Sequence, residues 1–273
     1  MNSFLFIGGD RRIMYAAEYI GSDYPVYCLG LGCDTIPEEK FSYIVLPLPF
    51  SRDGICANAP LAGQSIPLDT ITDLAEKDAV IFSGGSNIFL ETLCKDNHLT
   101  LVDYFADEPL TLKNAALTAE AAVAMLINNT DYSLFGAKVL ITGYGRIAAY
   151  TAHLLKAFGT NITIAARKAE QRTKAELDGF KTLELNKLPE VVAYCDIVIN
   201  TVPSALFEKE HFDNMKRDTL FMELATRKHT PEADYAASAE VRYLPAGGLP
   251  GKLSPKTAGI AIAQTILSHI NEL

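Results

Sequence analysis

An apolar strand that runs straight into a spaced-glycine turn and then a helix constrains this chain more than any other feature. Lys138-Val139-Leu140-Ile141-Thr142 reads as a buried strand, Gly143-Tyr144-Gly145-Arg146-Ile147-Ala148 follows at once, and an apolar-periodic helix continues to about Phe158. In this context G-x-G-x-x-A is a dinucleotide-binding turn rather than a chance pair of glycines. Gly143 permits the tight turn, and Gly145 lets the backbone approach a pyrophosphate. Ala148 keeps the helix close to the sheet, so the first helical amides and the positive end of the dipole face the phosphates. A second strand, Asn161-Ile162-Thr163-Ile164-Ala165, closes the unit. Where an NAD site places an acid for the ribose 2′-hydroxyl, this chain has Ala166-Arg167-Lys168, and two cations suit a 2′-phosphate. The same cations also read as the opening of a solvated helix through Glu170, Gln171, Arg172 and Lys174. The cofactor expectation is NADP, with NAD as the alternative. Its expected contacts are Gly143, Tyr144, Gly145, Arg146, Ile147, Arg167 and Lys168, with Thr201, Val202 and Pro203 from the next strand end.

The 273 residues allow one large or two ordinary domains, each with a real core. Hydrophobic content of 49% with 21% charge is that of a globular α/β protein. A net charge of −9 argues against nucleic acid or an anionic membrane as partner, and means that an anionic substrate needs a local cluster of cations. No apolar run approaches a bilayer span and the N-terminus enters a strand directly, so a cytoplasmic protein is expected. Cys28, Cys33, Cys56, Cys94 and Cys195 lack C-x-x-C spacing and read as reduced, buried thiols. The histidines form no H-x-x-x-H pair, so no metal site is expected.

The first half also alternates strand and helix. Phe4-Leu5-Phe6-Ile7, Val26-Tyr27-Cys28-Leu29, Tyr43-Ile44-Val45-Leu46, Ala79-Val80-Ile81-Phe82 and Leu99-Thr100-Leu101-Val102 form a five-stranded parallel sheet in this reading. The helix from Arg11 to Ile20 turns Ile13, Met14, Ala17 and Ile20 inward, and Gly8-Gly9-Asp10 before it reads as a structural turn, not a second phosphate loop. Past the glycine turn, 196–203, 219–226 and 241–244 are further strands, and Pro255 to His269 is a final helix. The fold class is therefore α/β: a flavodoxin-like N-terminal domain (1–111) and a Rossmann NADP-binding domain (131–254), both doubly wound on parallel sheets. The helix at 112–130 links them and that at 255–273 packs back on the first. Two such domains form a cleft, and ligands of these sheets bind outside the carboxyl ends of strands. The apolar faces of the two long helices also suit a homodimer, or packing within the chain.

The chain resembles the A subunit of dipicolinate synthase over almost its full length. The resemblance rests on Phe6-Ile7-Gly8-Gly9-Asp10-Arg11-Arg12, Leu46-Pro47, Asp53-Gly54, Thr118-Ala119-Glu120-Ala121-Ala122 and Gly143-Tyr144-Gly145-Arg146. Most specific is the run from Gly247-Gly248-Leu249-Pro250-Gly251-Lys252 through Leu253-Ser254-Pro255-Lys256-Thr257-Ala258-Gly259. A broader resemblance in plan extends to D-2-hydroxyacid-type dehydrogenases. The first resemblance implies NAD(P)-dependent oxidation of dihydrodipicolinate, or its hydroxytetrahydro precursor, to dipicolinate in the mother cell of a spore-former. It also implies a second, flavoprotein-like partner, the B subunit of that enzyme. A small dicarboxylate needs cations and amide donors on opposite sides. The candidates are Arg52, Ser83, Gly84 and Gly85 from the first domain, with Arg227 and Lys256 from the second side. Glu120 and Lys256 are the candidates for catalysis, and Glu120 and His229 for proton handling, although each also reads as surface charge or loop. The competing readings are a D-2-hydroxyacid dehydrogenase and a nucleotide-binding, non-catalytic subunit. The first needs an ordered Arg, Glu and late His that do not follow Arg227 here.

Overall fold

A computed structural model describes every residue except Met1, Asp34, Ile36, Pro37, residues 226–230 and Leu273. The chain divides into two units, one made of Met1–Asn114 with Pro250–Leu273 and the other of Ala115–Leu249.

In the first unit β1 (Phe4–Ile7), β2 (Val26–Leu29), β3 (Phe41–Val45), β4 (Ala75–Ser83) and β5 (Thr100–Asp103) form one parallel sheet in the order β2-β1-β3-β4-β5. Strand alternation sorts its side chains between two cores. Leu5, Ile7, Ile44 and Ile81 pack with Leu90 and Cys94 of helix Ile88–Asp96. Phe4, Phe6, Val45 and Phe82 pack on the other face with helices Arg11–Ile20 and Pro255–Glu272. In helix Arg11–Ile20 the buried apolar residues are Ile13, Ala16, Ala17 and Ile20, whereas Met14 is exposed. The helical period places Ala16 on the inner stripe and turns Met14 outward.

The second unit has β6 (Lys138–Thr142), β7 (Asn161–Ala165), β8 (Lys181–Leu183), β9 (Ile197–Asn200), β10 (Leu220–Glu223) and β11 (Arg242–Pro245), all parallel, in the order β11-β10-β9-β6-β7-β8. This is the doubly wound dinucleotide-binding order, with its reversal between β6 and β9. Only β8 lies outside the strands expected from sequence. It is three residues long, at the sheet edge and at most half-buried, so it has no apolar run to announce it. Val139, Ile141, Ile164 and Ile199 face a core closed by Ala148, Ala152 and Leu155, while Leu140, Val198 and Phe221 face the opposite one.

Helix Glu108–Asn129 crosses the division between the units, at Asn114 and Ala115. Contrary to the expectation from apolar runs, it is long and apolar enough to cross a membrane, but half of that stretch is buried in the protein. Ala121, Ala122, Val123 and Leu126 join the core of the second unit, which makes it a core helix. The cysteines also differ from expectation. All are free, but only Cys94 and Cys195 are buried, and Cys33 is exposed.

Gly259 sits where helix Pro255–Glu272 meets helix Arg11–Ile20, and a methyl group on it would press on the Arg12 carbonyl oxygen, with Tyr15 Cβ only 2.8 Å away. Alanine would gain about 1 kcal/mol of helix propensity. Backbone at such a distance cannot swing aside, so overpacking prevails. Gly259→Ala is expected to lower unfolding free energy by about 1–3 kcal/mol in a denaturant titration.

Candidate nucleotide-binding site

The glycine turn leaves β6 at the point where the sheet order reverses. Gly143 adopts φ +81°, and its N–H donates to the Ala165 carbonyl at 2.8 Å. A Cβ there would lie 2.9 Å from Thr201 Oγ1 and 3.1 Å from Val202 Cγ2, so the loop after β9 closes directly on it. Gly145 differs. Its φ of −85° suits any residue, and nothing lies within 4 Å of a Cβ built on it. It occupies the N-cap position of helix Arg146–Ala157 with no side-chain cap, so the first amides of that helix receive none from their own cap residue. The space over Gly145 is a cradle for an anion.

Tyr144 between them is buried and points away from this space. Its hydroxyl donates to Asp178 Oδ2 at 2.5 Å, and its ring packs edge-on to Phe180. Burial, then the bond to Asp178, raises the Tyr144 pKa, and the same hydrogen bond lowers that of Asp178. Tyr144 therefore anchors the turn with its side chain, leaving its backbone to any ligand.

The strands around the reversal each end in a polar residue: Thr142 on β6, Asn200 on β9 and Glu223 on β10. All three are buried and joined. Thr142 Oγ1 donates to Asn200 Oδ1 at 2.7 Å, and Asn200 Nδ2 donates to both Glu223 carboxylate oxygens at 3.0 Å. The Val202 N–H also donates to Asn200 Oδ1 (3.1 Å), and Thr201 Oγ1 donates to the Thr142 carbonyl (2.7 Å). Asn200 thus fixes the loop facing Gly143. Its place in the expected strand at 196–203 was legible, but its role was not. The sequence signal is a polar residue closing each of the apolar runs that end at Thr142, Asn200 and Glu223.

The result is a cavity of about 420 Å³ at the carboxyl ends of the strands. Of the residues expected to bind cofactor, Gly143, Tyr144, Gly145, Arg167, Lys168, Thr201, Val202 and Pro203 line it together. Arg146 and Ile147 do not. Arg146 is exposed on the first helical turn, and Ile147 packs against the core. A larger cavity of about 570 Å³, lined by Lys138, Asn161 and Lys181, opens at the amino ends of β6, β7 and β8, away from the glycine turn.

The corresponding turn of the first unit is filled from within. Asp10 caps helix Arg11–Ile20, accepting the Arg12 N–H at 2.9 Å, so a carboxylate occupies the place a phosphate would take. Arg12 folds back onto Asp10 (Nη2–Oδ2 2.9 Å) and donates to the Leu48 carbonyl at 2.5 Å. Ser83, Gly84 and Gly85 do not form the open donor set expected of them. Ser83 Oγ donates to the Gly85 carbonyl (2.6 Å), and the Gly85 N–H donates to Asp103 (3.0 Å). A Cβ on Gly84 would come within 2.5 Å of the Pro47 carbonyl oxygen, so this glycine serves close packing. Arg52 is exposed at a separate polar pocket of about 430 Å³ that Asp53, Asn58 and Gln64 also line. Backbone N–H donors from Cys56 and Ile55, and then the Ser51 hydroxyl, hold the Asp53 pKa down to about 2.

Lys256 was expected to approach from the side opposite Arg52, but it belongs to the same unit, exposed on the first turn of helix Pro255–Glu272. That helix packs on Arg11–Ile20, which carries Lys256 with it. Glu120 is exposed on helix Glu108–Asn129. Arg227 and His229 lie outside the described residues.

The two glycines make opposite predictions. Gly145→Val should fold with near wild-type stability, because its backbone is extended and the space is open, yet lose nicotinamide-dinucleotide binding in a fluorescence titration. Gly143→Ala should lose about 1–2 kcal/mol of stability from its left-handed backbone alone, measured by thermal unfolding.

Comparison with known proteins agrees with this division of labour. The family model for the N-terminal domain of the dipicolinate synthase A subunit matches residues 3–105, and that for the NAD-binding domain of D-isomer specific 2-hydroxyacid dehydrogenases matches residues 112–240. The A subunit of dipicolinate synthase from Bacillus subtilis (strain 168) is 29% identical over 282 residues, covering 98% of this chain and 95% of the relative. The crystal structure of the dipicolinate synthase A chain from Bacillus subtilis superposes with a TM-score of 0.85 at 27% identity, covering 99% of this chain and 96% of that one. The A-subunit structure from Bacillus halodurans gives 0.86 at 24% identity, covering 98% and 97%, a likeness of fold. Domain by domain and along nearly all of its length, the chain is similar to the A subunits of dipicolinate synthase.

Proposed function

We propose that this protein is an NADP-dependent oxidoreductase that forms dipicolinate as the A subunit of a dipicolinate synthase. The observation that carries the reading is the cavity built on Gly143 and Gly145, with Arg167 and Lys168 in its lining and Ala166-Arg167-Lys168 where a ribose-binding acid would stand. When bound, the oxidised nicotinamide supplies the hydride acceptor for a dihydropyridine dicarboxylate whose further loss of a proton completes an aromatic ring. Aromatisation favours that reaction, so the protein's work is positioning and exclusion of water. The first turn of helix Arg146–Ala157 holds the pyrophosphate, the loop fixed by Asn200 forms the facing wall, and Arg167 with Lys168 pairs with the 2′-phosphate. The substrate carboxylates meet Arg52 and Lys256, exposed cations of an otherwise acidic chain. A flavoprotein-like B subunit is the partner, in the cytoplasm of a spore-forming cell, and the chain pairs as a homodimer.

The direct test mixes purified protein, NADP and freshly generated dihydrodipicolinate, with and without a flavoprotein partner, and follows reduced-nicotinamide absorbance and dipicolinate. No reduction under either condition overturns the enzymatic assignment. Arg167→Ala should weaken NADPH while leaving NADH nearly unchanged in a fluorescence titration, and equal loss for both would overturn the choice of NADP. Arg52→Ala and Lys256→Ala should each weaken dipicolinate by about tenfold with NADPH binding retained, the loss expected when a cation that meets a substrate carboxylate is removed. Wild-type product affinity in both variants would remove these residues from the substrate site.

A further inference from the structure

The cations at the end of β7 stand on a loop that has little to hold it. Lys168, the N-cap residue of helix Ala169–Leu177, makes no side-chain cap, and the Ala166 N–H reaches the Leu183 carbonyl at 3.1 Å. Arg172, one turn into the helix, folds its guanidinium back over the loop. Its Nη1 donates to the Ala166 and Arg167 carbonyls, both at 2.9 Å, and its Nη2 donates to Glu184 Oε1 at 3.0 Å, just past β8. The side chain is largely buried, at 19% exposure. One planar fork therefore fastens the backbone beneath Arg167 to the neighbouring strand.

We infer that Arg172 is a positioning residue for cofactor selectivity: it fixes the direction in which Arg167 and Lys168 enter the nucleotide cavity, without touching the cofactor itself. The inference rests on the NADP reading above. Glu184 lies against the guanidinium and offsets its charge, so the contribution is geometric rather than electrostatic. The pyrophosphate cradle is a separate element, held by the Ala165 carbonyl, by Tyr144 on Asp178 and by Asn200. Loosening residues 166–168 therefore degrades recognition of the 2′-phosphate and spares the part of the site that NADH shares. Lysine cannot replace the fork, since an ammonium has no planar pair of donors with which to span two carbonyls and a carboxylate.

The test uses the full chain with Arg172→Ala, Arg172→Lys and, as reference, Arg167→Ala. Each is titrated calorimetrically with NADPH, NADH and 2′,5′-ADP, a probe that carries the 2′-phosphate without nicotinamide, and each is melted to confirm folding. Both Arg172 variants should bind NADPH and 2′,5′-ADP about tenfold more weakly, the effect of losing roughly one charge-assisted geometry, with NADH within twofold of wild type. Arg172→Lys should behave like the alanine variant although its charge is kept. Parallel loss of NADPH and NADH, unchanged NADPH affinity, or wild-type selectivity in Arg172→Lys would each overturn the inference. If Arg167→Ala alone shifts the NADPH-to-NADH ratio, the positioning role fails and the NADP reading stands. If no variant shifts that ratio, both fall.

Discussion

The buried hydrogen bonds joining Thr142, Asn200 and Glu223 are the constraint on which the second unit depends. A carboxylate and an amide taken out of water are costly unless each is paired, and here each satisfies the other. The three residues end β6, β9 and β10, so their bonds also fix how far each strand runs before its loop departs. Asn200 is the hinge of this arrangement, because its Oδ1 receives both the Thr142 hydroxyl and the Val202 N–H. The wall facing the glycine turn is thereby set by a polar network. An apolar substitute would fill the volume without specifying where Val202 lies.

Both units are parallel sheets with a glycine-bearing turn after the first strand, yet only one turn is available to an anion. In the first unit Asp10 caps the following helix and binds Arg12, so the helix terminus meets a carboxylate belonging to the chain itself. In the second unit Gly145 occupies the cap position and supplies no side chain. The same logic applies at the end of β4, where the Ser83 hydroxyl and the Gly85 amide donate within the unit. Architecture alone does not place a nucleotide site. What decides it is whether the donors at a strand end are already occupied.

Tyr144 and Arg172 extend this point to residues near the cavity. Tyr144 lies inside the glycine motif, but its hydroxyl binds Asp178 behind the turn. Arg172 has the charge expected of a phosphate ligand, but its guanidinium is committed to the Ala166 and Arg167 carbonyls and to Glu184. Proximity in sequence to a binding motif separates contact residues from supporting residues poorly, because the direction of a side chain is a tertiary property.

Alternation of apolar runs with amphipathic helices was enough to establish two parallel-sheet units, because strand and helix periods are local. Local rules likewise identified the glycine turn and the cations after β7, and the cavity gathers Gly143, Gly145, Arg167, Lys168 and Thr201 together. Three things required the folded chain. Strand β8 is too short and too exposed to show an apolar pattern. The return of helix 255–273 to the first domain was expected, but that it sets Lys256 in the same unit as Arg52 rather than opposite it followed only from its packing on Arg11–Ile20, with the whole second unit intervening in sequence. The bonds that shape the site link Thr142 to Asn200 across 58 positions and Asn200 to Glu223 across 23. A sequence determines what each residue can donate, accept or bury. Which partner it meets depends on how distant strand ends are brought into register, and that is decided only when the sheet closes.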